Sequence, residues 1–208
     1  MKRAPALLGL LLAAGLAGVA GIAAGEAPRA AAETRRLVSG EVLVRLAERP
    51  GGGPAEGVGT GVIDAPPERV FAALTDFAHY QEWVPFVTRS DARPQADGAV
   101  LSAQWLELPA LLGKRHYQIR AVSRVEMGKG GKVFVIRWTY VTGSGNVVDQ
   151  RGSWTVTSFG EGRAIATCHL LTDPGDAPAW AMNRATAKTL PWIFQGLRQQ
   201  ILRDRYLR

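Results

Sequence analysis

The chain carries one cysteine, Cys168, and so forms no internal disulfide; its stability must come from an apolar core. It has only three histidines, His79, His116 and His169, far apart and never at i,i+4, so no metal-binding motif is present. A G-x-S-x-G signature for nucleophilic chemistry is missing too. Cys168 sits in an apolar, strand-like stretch, where it reads as a small buried hydrophobe and not a reactive thiol. The glycine-rich loops lie between strands, which excludes a phosphate cradle between strand and helix. No internal repeat is present, and nothing implies a cofactor. Basic residues exceed acidic ones, 25 against 18, but the excess is spread out and not interleaved with aromatics, which argues against nucleic acid.

Only one long uncharged run exists, Leu7 to Ala24, rich in Leu, Ala and Gly and preceded by Lys2 and Arg3. This pattern is that of an export signal. Ala30-Ala31-Ala32 suits cleavage, with Ala24 a second option. The alternative is a retained inner-membrane anchor, because about 18 apolar residues is near the minimum for a span. No cysteine lies nearby, so a lipoprotein anchor is excluded. The expectation is an exported, periplasmic, monomeric protein with a signal segment over 1–32 and one domain over 33–208.

What is there begins with the last third. Asp173-Pro174-Gly175-Asp176 is turn chemistry, and Pro178 suits the first turn of a helix. Leu190, Ile193, Leu197 and Ile201 then recur at spacings of three and four and define one apolar helix face. Pro191 removes a backbone hydrogen bond within it, and Gly196 adds a flexible point, so this helix is a natural lid. Arg198, Arg203, Arg205 and Arg208 gather at its end. They fit either a solvated basic face or transient contact with an anionic membrane surface.

Upstream, strands are expected at Gly40–Glu48 and Val58–Ile63. A helix starts at Asp64-Ala65-Pro66-Pro67-Glu68 and carries Val70, Phe71, Leu74 and Phe77 on one face, and a second helical turn covers His79–Phe86. Five more strands follow, at Ala99–Leu108, Arg115–Val122, Lys132–Val141, Val147–Thr157 and Ala164–Leu171, separated by glycine-rich turns. The class is α+β: a curved antiparallel sheet wrapped around a long C-terminal helix, with two short helices after the first strands.

Period-two alternation assigns inward faces. These carry Leu101, Ala103 and Trp105; Tyr117, Ile119 and Ala121; Phe134, Ile136, Trp138 and Tyr140; Val148, Gly152, Trp154 and Val156; and Ala164, Ala166, Cys168 and Leu170. Glu107 shares the face of Trp105, and Arg115 that of Tyr117. The two either pair across the hairpin inside the sheet or sit at its mouth and reach water.

Three patches resemble the StAR-related lipid-transfer (START) family within the helix-grip superfamily of polyketide cyclases and ubiquinone-binding proteins. The first runs from Gly61 through Asp64-Ala65-Pro66-Pro67-Glu68 to Phe71, then Asp76, Tyr80, Trp83 and Pro85. The second is Leu108-Pro109 with Lys114-Arg115-His116-Tyr117. The third is Gly152-Ser153-Trp154, then Asp173-Pro174, Pro178-Ala179-Trp180, Asn183 and Leu190-Pro191. Together they span Val42 to Leu202. The resemblance implies a helix-grip fold and a hydrophobic tunnel that binds a lipid or other apolar small molecule. The residues expected to line it are Trp105, Glu107, Arg115, Tyr117, Phe134, Ile136, Trp138, Tyr140, Trp154, Leu190, Ile193 and Leu197, with Glu107 and Arg115 meeting the ligand's polar end. The competing reading is a cyclase or dehydratase using Glu107, Arg115, Tyr117 and Tyr140. A third, a pure interaction module, needs a filled interior and an exposed apolar patch.

Overall fold

The computed structural model describes residues 29–108, 113–144 and 147–207; the uncharged N-terminal run and most of the expected signal segment lie outside the described residues. A helix over 29–38 (α1) leads into β1 (Leu43–Ala47) and β2 (Glu56–Ile63). Then come α2 (Pro67–Thr75) and a 3-10 segment (Phe77–Glu82). Six strands follow, β3 (Val87–Pro94), β4 (Val100–Glu107), β5 (Lys114–Gly128), β6 (Gly131–Gly143), β7 (Asp149–Ser158) and β8 (Ala164–Asp173), and the long helix α3 (Ala179–Gln200) closes the chain with a short 3-10 turn at Asp204–Tyr206. All strands join one antiparallel sheet in the order β1-β2-β8-β7-β6-β5-β4-β3. Among the described residues no helix is long and apolar enough to cross a membrane.

Proline sets both main helix starts. Pro66 caps α2 with Pro67 in its first turn, and Pro178 caps α3; a proline there sacrifices no helical hydrogen bond. α3 runs on through Pro191. An internal proline costs roughly 3 kcal/mol in a helix. Leu190, Phe194 and Leu197 are fully buried, and each such side chain stabilises by about 1.5–3 kcal/mol. Tertiary burial therefore outweighs the lost bond.

The close seat of α3 on the sheet comes from glycine. Gly57, Gly59 and Gly61 alternate along β2 on the face that meets the helix. A Cβ at Gly57 would come within 2.9 Å of Leu190 Cδ1, and one at Gly61 within 2.8 Å of Phe194 Cδ1. At the far end of the helix, Gly196 meets the backbone carbonyl of Trp83, where a Cβ would collide. Gly196 is thus a packing requirement, contrary to the flexible point expected for a lid.

Two sheet features depart from expectation. β3 is an extra strand, paired only with β4 and interrupted by a register shift between Val87 and Arg89. It is a polar edge strand, with Thr88, Arg89, Asp91 and Arg93 giving no apolar alternation to read. β5 and β6 extend past Val122 as a long hairpin paired from Ser123↔Ile136 to Gly128↔Gly131, with Val125 and Met127 exposed.

Candidate ligand pocket

The inner faces of β4 to β8, one side of α3 and the segment from Phe77 to Val87 enclose a pocket of about 410 Å³. Its wall is almost wholly apolar. The sheet contributes Tyr117, Ile119, Trp138, Trp154, Cys168 and Leu170; the helix contributes Met182, Ala185, Thr189, Trp192 and Ile193. Phe77, Tyr80 and Trp83 close a third side, with Tyr80 edge-on to Trp83 at 5.0 Å. Lys188 and Trp192, both exposed, mark the mouth, where Trp192 packs against Phe86 at 6.0 Å.

Four polar side chains form a buried chain of hydrogen bonds across the sheet. Trp138 Nε1 donates to Gln150 Oε1 at 3.1 Å, Gln150 Nε2 to the Tyr117 hydroxyl at 3.3 Å, and that hydroxyl to Gln104 Oε1 at 2.9 Å. All four residues are at most 8% exposed and line the pocket. Burial pushes the Tyr117 hydroxyl up to about 12, the bond from Gln150 working the other way. Burial likewise raises the Cys168 thiol well above its ordinary value. Gly152 makes room for this arrangement, since a Cβ there would come within 3.0 Å of the Trp138 indole Cε2.

Of the expected lining, Tyr117, Trp138, Trp154 and Ile193 face the pocket. Phe134 and Ile136 point inward as read but belong to the core outside the pocket wall, Phe134 packing on Phe71 of α2 at 5.0 Å. Tyr140 is half-buried and donates to Val147 O at 2.9 Å. Leu190 and Leu197 belong to the core on the side of α3 turned toward β2, so the pocket takes the neighbouring side of the helix instead.

The expectation for β4 is reversed. Tyr117 pairs with Gln104, and His116 with Trp105; directly opposed residues share a face. Gln104 and Leu106 therefore point inward, and Trp105 and Glu107 outward. Trp105 stacks on His116 at 4.5 Å and takes the Arg89 guanidinium over its ring at 4.4 Å. The Glu107–Arg115 pair does not form. Glu107 meets Lys114 at 2.7 Å on the exposed side. Arg115 is buried, and its carboxylate partner among the described residues is Asp176, at 3.0 and 3.1 Å. Neither Glu107 nor Arg115 lines the pocket. The arginines near the C-terminus are engaged within the protein: Arg198 donates to Val62 O and Gly40 O, and Arg203 and Arg205 meet Glu82. Arg208 lies outside the described residues.

Sequence reading missed Gln104 and Gln150. Gln150 shares parity with Gly152, Trp154 and Val156, so an inward polar residue was legible there. Gln104 becomes visible only through strand pairing. Among the described residues no group of His, Cys, Asp and Glu is arranged to hold a metal ion.

Comparison with known proteins agrees with this architecture. Residues 63–194 match the family model for polyketide cyclase / dehydrase and lipid transport. No curated protein sequence matches the chain. Among solved structures, a STAR-related lipid transfer protein from Xanthomonas axonopodis superposes with a TM-score of 0.65 at 20% identity, covering 78% of this chain and 93% of that one. Human STARD10 gives 0.65 at 16% identity, covering 79% and 69%. The Zhui aromatase/cyclase from Streptomyces sp. R1128 gives 0.51 at 13% identity, covering 71% and 90%. At these identities the likeness is one of fold. With the sheet, the long helix and the matched span in agreement, the chain belongs to the polyketide cyclase / dehydrase and lipid transport family.

Proposed function

We propose that the protein binds a lipid or other apolar small molecule in this pocket and carries it outside the cytoplasm without transforming it. The pocket carries the reading: about 410 Å³, walled by aromatic and aliphatic side chains with a few buried polar groups, which is the usual make-up of a small-molecule site. The uncharged N-terminal run after Lys2 and Arg3 supports export. Exposed Trp192 and Lys188 at the mouth support transient contact with an anionic membrane during exchange.

Native mass spectrometry of the purified protein tests the carrier role. An apolar mass released by organic solvent is expected. A protein that arrives empty and takes up no uncharged fluorophore such as N-phenyl-1-naphthylamine overturns it. Cell fractionation with N-terminal sequencing tests export, and cytoplasmic retention of the full-length chain overturns that part.

Catalysis is the second reading, since the family's description also names cyclases and dehydrases. An acid–base enzyme needs a group that exchanges protons near neutral pH. The titratable groups among the described lining residues are Tyr80, Tyr117, Cys168 and Lys188. Burial drives the first three upward, away from neutrality, which favours the carrier.

A further inference from the structure

The buried polar chain has a direction, and that direction specifies what a ligand must offer. An indole nitrogen donates and never accepts. The Gln150 atom facing Trp138 Nε1 is therefore the carbonyl oxygen, and its amide nitrogen faces Tyr117. The Tyr117 oxygen accepts that bond and donates its single proton to Gln104 Oε1, which pairs every member of the chain. Gln104 Nε2 is thereby left at the open end with two N–H groups. No described residue accepts a bond from it, although Gln104 is only 3% exposed and lines the pocket.

Trp83 also lines the pocket, is 8% exposed, and its Nε1–H has no acceptor. A buried donor left without a partner costs about 1–3 kcal/mol. The Trp83 nitrogen is closed off from the open space, so the unused donors that the wall presents are those of the Gln104 amide. Charge is confined to the rim, where Lys188 is the charged lining residue among those described, so a buried carboxylate or phosphate would find no counter-ion inside.

We infer that the pocket selects an apolar molecule carrying an uncharged carbonyl acceptor, a ketone or an ester, and holds that oxygen at the amide donors of Gln104. The inference rests on the pocket being the ligand site. It places recognition at the end of a fixed relay, Trp138 to Gln150 to Tyr117 to Gln104. The chain favours this orientation of the Gln104 amide, because turning it over would leave the Tyr117 proton without its acceptor.

The test uses the purified protein loaded with N-phenyl-1-naphthylamine and three competitors of equal length: tridecan-2-one, tridecane and tridecanoate at pH 8. The ketone should displace the fluorophore about tenfold more tightly than the alkane, the equivalent of one well-made buried hydrogen bond. The carboxylate should show no such gain. Gln104→Leu should abolish the ketone's advantage while alkane displacement persists. On the unaltered protein, the infrared carbonyl stretch of bound ¹³C-labelled ketone should lie below its value in hexadecane. Equal binding of ketone and alkane, an unshifted stretch, or an advantage that survives Gln104→Leu overturns the inference and leaves the carrier reading standing. If the fluorophore does not bind, or if pocket-filling Cys168→Phe leaves its binding unchanged, the pocket is not the site and both fall.

Discussion

Gly196 of α3 presses its α-carbon against the backbone carbonyl of Trp83, and a Cβ at that position would overlap the oxygen. Within an ordinary helix, Gly→Ala stabilises by about 1 kcal/mol. Here the neighbour is backbone and cannot rotate away, so the substitution must shift the helix or the pocket segment that follows Tyr80. Gly196→Ala is expected to destabilise by about 1–3 kcal/mol, the usual cost of overpacking, read as a lower urea midpoint. A stabilised variant would show that the contact gives way freely.

Arg115 holds Asp176 with two hydrogen bonds, joining β5 to the turn before α3. The arginine is buried while the Asp176 side chain is 54% exposed, so the pair lies between a weak surface bridge and a fully desolvated one. Asp176→Ala should cost about 1–3 kcal/mol by taking the carboxylate from a buried guanidinium. Arg115→Met should cost less, and the double variant should fall short of the sum. Strictly additive effects in a double-mutant cycle would show that the pair is not coupled.

Cys168 faces the pocket from β8 and is 2% exposed, with its thiol pushed up by burial. The thiolate is the reactive form. Labelling by a disulfide reagent at pH 8 should therefore be slow in the native protein and rapid in urea. Bound tridecan-2-one should slow it further. Prompt stoichiometric labelling of the native protein would contradict this burial.

Tyr117 and Tyr206 are raised from 10.0 to about 12, first by burial in both cases, and Tyr80 is also raised by burial. The native state thus binds these protons more tightly than the unfolded chain does. The stability they supply is full below pH 10 and is lost as pH rises toward about 12. The urea midpoint should fall across that interval, and Tyr117→Phe should flatten the fall. A midpoint that does not change between pH 10 and 12 would refute the assignment.

Much of the architecture was legible in the residues. Paired prolines before Glu68 and at Pro178 announce helix starts, and period-two alternation identifies the inward faces of β5, β6 and β8 correctly. Those signals are local, because a strand with one wet face and a proline at a helix's first turn obey rules that act within a few residues. β3 escaped because a polar edge strand has no such alternation. Trp105 lies outward against expectation because pairing with His116 and the cover of Arg89 make that position comfortable for an indole.

The sequence by itself determined the element types, the α+β class and an aromatic-rich interior. It also supplied Tyr117, Trp138, Trp154 and Ile193 as lining residues. Only the tertiary structure decided the partner of Arg115, the inward turn of Gln104 and the direction of the buried relay. Each of these depends on contacts between residues far apart in the chain. Asp176 lies 61 positions beyond Arg115, and Gln150 lies 33 beyond Tyr117. Local periodicity sets which way a side chain points, but strand register and the seat of α3 on the glycines of β2 decide what it meets.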